Sequence, residues 1–149
     1  MNKNFFLYAV NEAKKAFNNN EVPIGAVIVK NGKIIAKAYN KKEKDNCCIS
    51  HAEILAIKKA SRKLNNWRLD GCDIYVTLDP CPMCASAIKQ ARIENVYSML
   101  DNSNTNNIDI ISKIFNSADI NHMVNYYSNI DQNISKNLLH SFFERQRNK

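Results

Sequence analysis

Residues 50–53 read Ser50-His51-Ala52-Glu53, and residues 80–84 read Pro80-Cys81-Pro82-Met83-Cys84. A run with helical spacing and a short apolar run lie between them, so a helix and a strand join the two motifs. His51, Cys81 and Cys84 offer one imidazole and two thiolates, donors that zinc takes well. Three protein ligands leave a fourth position free, which is the arrangement of a catalytic zinc rather than a closed structural one. Glu53, two residues from His51, then serves as the base beside that open position.

Two plainer readings compete. Ser50-x-x-Glu53 is also a capping box, in which each side chain satisfies an amide at a helix start. Cys48-x-x-His51 followed by Cys81-x-x-Cys84 supplies four soft ligands, enough for a closed structural site. The whole spacing, H-x-E and then P-C-x-x-C, is the signature of the zinc deaminases of nucleobases, where the glutamate moves protons and is not a ligand.

Working outward, residues 73–78 (DIYVTL) form a short, almost wholly apolar strand, expected to be central and parallel. Pro80 stops it, and Pro82 suits the first turn of a helix running to about Arg92. Both motifs thus fall at helix amino termini, where the macrodipole favours thiolate at Cys81 and Cys84. The helix after Ser50 covers residues 51–64, with Ile54, Leu55, Ile57 and Leu64 inward. Upstream, residues 24–29 and 34–39 flank Asn31-Gly32, the signal for a hairpin with a mirror-image turn. Asn40 follows at the strand end, where it either faces a ligand or only turns the chain. Residues 5–17 carry a helical stripe of Phe6, Ala9, Val10, Ala13, Ala16 and Phe17.

Downstream come a strand at 96–100, a polar tract at 101–107, a short helix at 108–115 and an edge strand at 121–127. A closing helix at 134–147 turns Ile134, Leu138, Leu139, Phe142 and Phe143 inward and ends in a basic tail. A hairpin followed by alternating strands and helices gives an α/β fold: a three-layer α/β/α domain with a mixed central sheet. At 149 residues the chain is expected to be a single domain, 1–149.

Five cysteines, two of them adjacent at Cys47 and Cys48, make a poor disulfide framework. Cys72 reads as a small buried residue at the start of a strand, and Cys47 and Cys48 as loop residues near the site. No run approaches bilayer length and the amino terminus lacks a signal peptide's apolar core, so a cytoplasmic protein with no membrane partner is expected. A formal charge of +7 favours phosphate-rich partners. The abundant asparagines read as compositional bias. His140 reads as a surface residue, and His122 as structural or RNA-contacting.

With these parts placed, the chain resembles the bacterial tRNA-specific adenosine deaminases of the cytidine-deaminase superfamily along nearly its whole length. The resemblance rests on Glu21-Val22-Pro23-Ile24-Gly25-Ala26-Val27, His51-Ala52-Glu53, Trp67-Arg68-Leu69, Tyr75-Val76-Thr77-Leu78, Pro80-Cys81-Pro82-Met83-Cys84, Asn121-His122 and Phe142-Phe143. The zinc motif is common to the superfamily; the first segment, and Phe142-Phe143 with its basic tail, point to the tRNA branch. The resemblance implies hydrolysis of adenosine to inosine at the wobble position of a tRNA anticodon stem-loop, by a homodimer. It implies one Zn2+ per subunit on His51, Cys81 and Cys84, Glu53 as proton shuttle for zinc-activated water, and Asn40 hydrogen-bonded to the flipped-out base. Two places depart from the family pattern: Asp79 stands where glutamate is usual, and residues 99–107 lack the usual glycine and lysine. The rival functions are a deaminase of a free base or nucleotide of guanine or cytosine type, and a non-catalytic zinc-binding module.

Overall fold

Strand β1 (Gly25–Lys30) shows how the layers arise. Its side chains alternate across the sheet, as the strand period requires. Ala26 and Ile28 enter one core, and Val27 and Val29 enter another on the opposite face. The computed structural model describes residues 1–102 and 107–149. Around β1 stand α1 (Asn4–Asn18), β2 (Lys33–Tyr39), α2 (Ala52–Leu64), β3 (Cys72–Val76), α3 (Pro82–Gln90), β4 (Asn95–Ser98), α4 (Asn107–Asn116), β5 (Asn125–Tyr127) and α5 (Asn133–Arg147). The sheet runs β2-β1-β3-β4-β5. Helices α2, α3 and α4 cover the Ala26/Ile28 face, and α1 and α5 cover the other. This is the expected three-layer α/β fold.

β3 is central but not wholly parallel. It pairs antiparallel with β1 and parallel with β4, because the hairpin reverses the chain before the first crossover helix. The hairpin turn is as read: Asn31 and Gly32 have φ of 51° and 74°, the left-handed pair that a mirror-image turn needs. The edge strand is much shorter than residues 121–127, since only Asn125–Tyr127 pair with β4.

Helix α2 turns Ala52, Ala56 and Ala60 to the sheet, not the large aliphatics. They meet Ala26, Ala36 and Ala38 of β1 and β2, and small side chains on both surfaces let the backbones close together. Leu55, Ile57 and Leu64 pack at the margins, half-buried. On α5, Ile134 and Phe143 are exposed, whereas Ser135 and Phe142 are buried. α5 docks through a narrow stripe, with Phe142 against Phe17 of α1 and the Ser135 hydroxyl on the Thr77 carbonyl.

The asparagines have a conformational role that composition did not reveal. Asn20, Asn31, Asn46, Asn65 and Asn129 all take positive φ. Asparagine is the side chain that best tolerates this region, so in a chain with three glycines it supplies the turns and helix ends.

Candidate active site

His51 and Cys81 occupy equivalent places. Each is the extended residue before a helix, with φ/ψ of −77°/151° and −70°/169°. The carbonyl of each accepts the first helical bond, from Leu55 and Ala85, and neither side chain is used as a cap. Pro82 sits at the start of α3, where its missing amide costs nothing. Cys84 follows one turn on and is fully buried.

These placements bring three donors together. Cys81 Sγ lies 3.7 Å and Cys84 Sγ 3.5 Å from His51 Nδ1. A tetrahedral zinc with ordinary Zn–N and Zn–S bonds separates such atoms by about 3.6 Å. Among the described residues these three make the one such group of His, Cys, Asp and Glu donors that could hold a metal, and Cys48 is not in it. Cys48 is exposed and lies outside this cluster, so the four donors of a closed site are not brought together. The capping box is also absent: Ser50 donates its hydroxyl to Asp45 Oδ2 at 2.9 Å, and the Ser50 amide bonds to the Cys47 carbonyl, not to Glu53.

Glu53 is instead 3% exposed, and its Oε1 has no hydrogen-bond partner. Burial pushes its carboxyl up to about 7, and the neighbouring Cys81 sulfur adds to the rise. A hydrogen bond from Cys84 holds Cys81 down to about 5, helped by the backbone amides of Cys84 and Met83. The same contact, with burial, pushes Cys84 up.

The mouth is a cavity of about 190 Å³ lined by Val22, Ile24, Asn40, Lys42, His51, Ala52 and Glu53. Asn40 is buried; its Nδ2 donates to the Val22 carbonyl at 3.4 Å, and its Oδ1 accepts from the Lys42 amide at 3.3 Å. It therefore both turns the chain and lines the site. Val22 continues into two further cavities. One of about 280 Å³ reaches Glu43 and Gln146; another of about 420 Å³ reaches Leu100, Lys136 and Phe143.

Several site-supporting residues were not read from the sequence. Buried Glu21 accepts the amides of Glu43 and Lys44 at 2.9 and 2.7 Å and fixes the loop before Ser50. Thr77 begins the segment leading into Cys81 and bonds to Gly25, and Asn107, Ser128 and Ser135 bond to that segment, as described below. Of these, Glu21 and Thr77 had a signal, their places in the Glu-Val-Pro-Ile-Gly and Tyr-Val-Thr-Leu segments. Asp79 is buried and fully engaged on one oxygen by Ser128 at 2.7 Å, so its shorter side chain has a partner. The glycine-free and lysine-free tract falls partly on residues 103–106, outside the described residues. His122 bonds through Nε2 to the Ile93 carbonyl at 2.8 Å, a structural contact. His140 pairs at the surface with Glu144, and Cys72 is buried at the start of β3.

The sequence profile of the MafB19-like deaminase family matches residues 1–147. A tRNA-specific adenosine deaminase of Aquifex aeolicus is 44% identical, over 99% of this chain and 98% of that protein. A solved structure from studies of A-to-I editing by tRNA:A34 deaminases at the wobble position of transfer RNA superposes with a TM-score of 0.86 at 36% identity. It covers 93% of this chain and 100% of that one. A guanine deaminase from Bacillus subtilis is 33% identical with a TM-score of 0.65, over 100% of this chain and 96% of that one. Both measures favour the tRNA enzymes over the guanine deaminase. On its profile match, its identity over nearly full length and its His-Cys-Cys cluster, the chain belongs to the family of tRNA-specific adenosine deaminases.

Proposed function

We propose that this chain hydrolyses adenosine to inosine at the wobble position of a tRNA anticodon, acting over residues 1–149 as one deaminase domain. The observation that carries this is the buried, unpaired carboxylate oxygen of Glu53 beside three zinc-type donors. A buried polar atom without a partner is costly and is retained where chemistry uses it.

His51, Cys81 and Cys84 are the residues that would hold one Zn2+, which their separations and soft donors fit. When bound, zinc supplies a Lewis acid that brings the pKa of water towards roughly 7. Glu53 removes a proton from the attacking water and delivers it to ring N1 as the new C6–O bond forms. It then carries the second water proton to the exocyclic nitrogen, the C6–N bond breaks, and ammonia leaves. Asn40 hydrogen-bonds the flipped-out base and holds it against Glu53, a role that its position on the cavity wall supports. Burial of Glu53 removes competing water from the carboxylate.

The anticodon stem-loop is the partner that the adjoining cavities and the +7 charge support. Exposed Ile49, Met83, Ile108 and Ile110, on the segments around the site, support a homodimer, which light scattering would check. Among the described residues no helix is long and apolar enough to cross a membrane, in keeping with a cytoplasmic role.

The test is a competition between substrate classes. Zinc-loaded protein is given unmodified tRNA with adenosine at the wobble position, and separately guanine and cytosine. Inosine in the tRNA with no turnover of the free bases is the expected result. Turnover of guanine alone would replace this reading with that of a free-base deaminase.

A further inference from the structure

The segment that delivers Cys81 is held at nearly every step. Thr77 donates its amide to the Gly25 carbonyl, its hydroxyl accepts the Gly25 amide at 3.1 Å, and its carbonyl accepts the Ser135 hydroxyl. Asp79 donates its amide to the Leu100 carbonyl at 2.9 Å and accepts from Ser128. Pro80 comes next. Proline has no amide hydrogen, so its carbonyl is the last backbone group before Cys81 that a neighbour can hold. Asn107 Nδ2 donates to that carbonyl at 3.3 Å, and both residues are buried. Here the amide nitrogen is directed across to another element, and a carbonyl can only accept, which fixes the side chain's orientation.

We propose that Asn107 is a positioning residue for the metal ligand Cys81, acting through the Pro80 carbonyl. It ties the start of α4 to the turn that presents Cys81. The far end of α4 is tied separately: Lys89, buried on α3, donates to the carbonyls of Ile114 and Ser117. The two ties allow loosening of the metal turn to be told from loosening of α4 as a whole. The proposal rests on the reading that His51, Cys81 and Cys84 hold zinc.

The test compares Asn107→Asp, which keeps the shape but removes the donor, with Lys89→Met. Zinc release from each loaded protein is followed with 4-(2-pyridylazo)resorcinol, alongside thermal unfolding. Amide hydrogen exchange over residues 81–84 is measured with and without zinc. Asn107→Asp is expected to release zinc roughly tenfold faster, the scale of one lost buried hydrogen bond. It should also speed exchange over residues 81–84 in the zinc-free protein. Lys89→Met is expected to lower the unfolding temperature at least as much while leaving both readouts at the wild-type value. Unchanged exchange in Asn107→Asp, or equal acceleration in both variants, would overturn the proposal. If the wild type bound no zinc, the zinc reading would fail, and the exchange data would still decide whether Asn107 holds the turn.

Discussion

In the proposed reaction Asn40 recognises the base and Glu53 moves the protons, and each can be removed separately. The Asn40 side chain makes two long hydrogen bonds, one to the Val22 carbonyl and one from the Lys42 amide, so its amide has capacity left for a base. Asn40→Ala is expected to lower kcat/KM for tRNA by about 10- to 100-fold, the scale of a lost polar contact in a closed site, with zinc content unchanged. Steady-state kinetics beside metal analysis would check this. His51, Glu53, Cys81 and Cys84 were legible from sequence because helix starts fix where such closely spaced side chains point. Asn107, Ser128 and Ser135 were not. Their partners are Pro80, Asp79 and Thr77, brought together only by the tertiary fold, and no local pattern marks such pairs.

The elements that carry the site depend on close approach to the sheet. A Cβ on Gly25 would lie 2.0 Å from the Ala9 carbonyl oxygen and 2.7 Å from the Ala13 amide nitrogen. Both obstacles are backbone, so α1 would have to move off β1. Gly25→Ala is therefore expected to cost about 3 kcal/mol or more, an unfolding temperature lower by roughly 5 °C or more. Calorimetry reads it directly. The hairpin and the helix positions were legible because turn chemistry and periodicity are local. The buried face of α2 was not: its large aliphatics suggested the inward side, while the tight α2–β1–β2 packing selected the alanines. The closing helix was misread for a related reason, since α5 docks on α1 through Phe142 and leaves Phe143 exposed beside the cavity of about 420 Å³.

For the whole molecule, net charge states an affinity for phosphate but not where it is exercised. Arg145, in the basic tail, is committed to the fold: it donates to the Phe17 carbonyl at 2.8 Å and lies 4.1 Å from that ring's centre. Lys136 is exposed beside Phe143 on the 420 Å³ cavity and is the better candidate for a phosphate contact. Lys136→Ala is expected to weaken tRNA binding and flatten the slope of log K against log salt by about 1, measured by titration across salt concentrations. The three-layer fold was legible as a whole because a hairpin followed by alternating helices and strands has few solutions. The central claim is that Glu53 moves the protons and is no structural carboxylate. Its most direct test is inosine formation in a wobble-adenosine tRNA by Glu53→Gln beside the wild type, with zinc content and unfolding temperature recorded for both. The expected result is a variant that keeps its zinc and its fold and loses at least about a thousandfold in turnover. A folded, zinc-loaded variant that still forms inosine at a rate near the wild type's would contradict it.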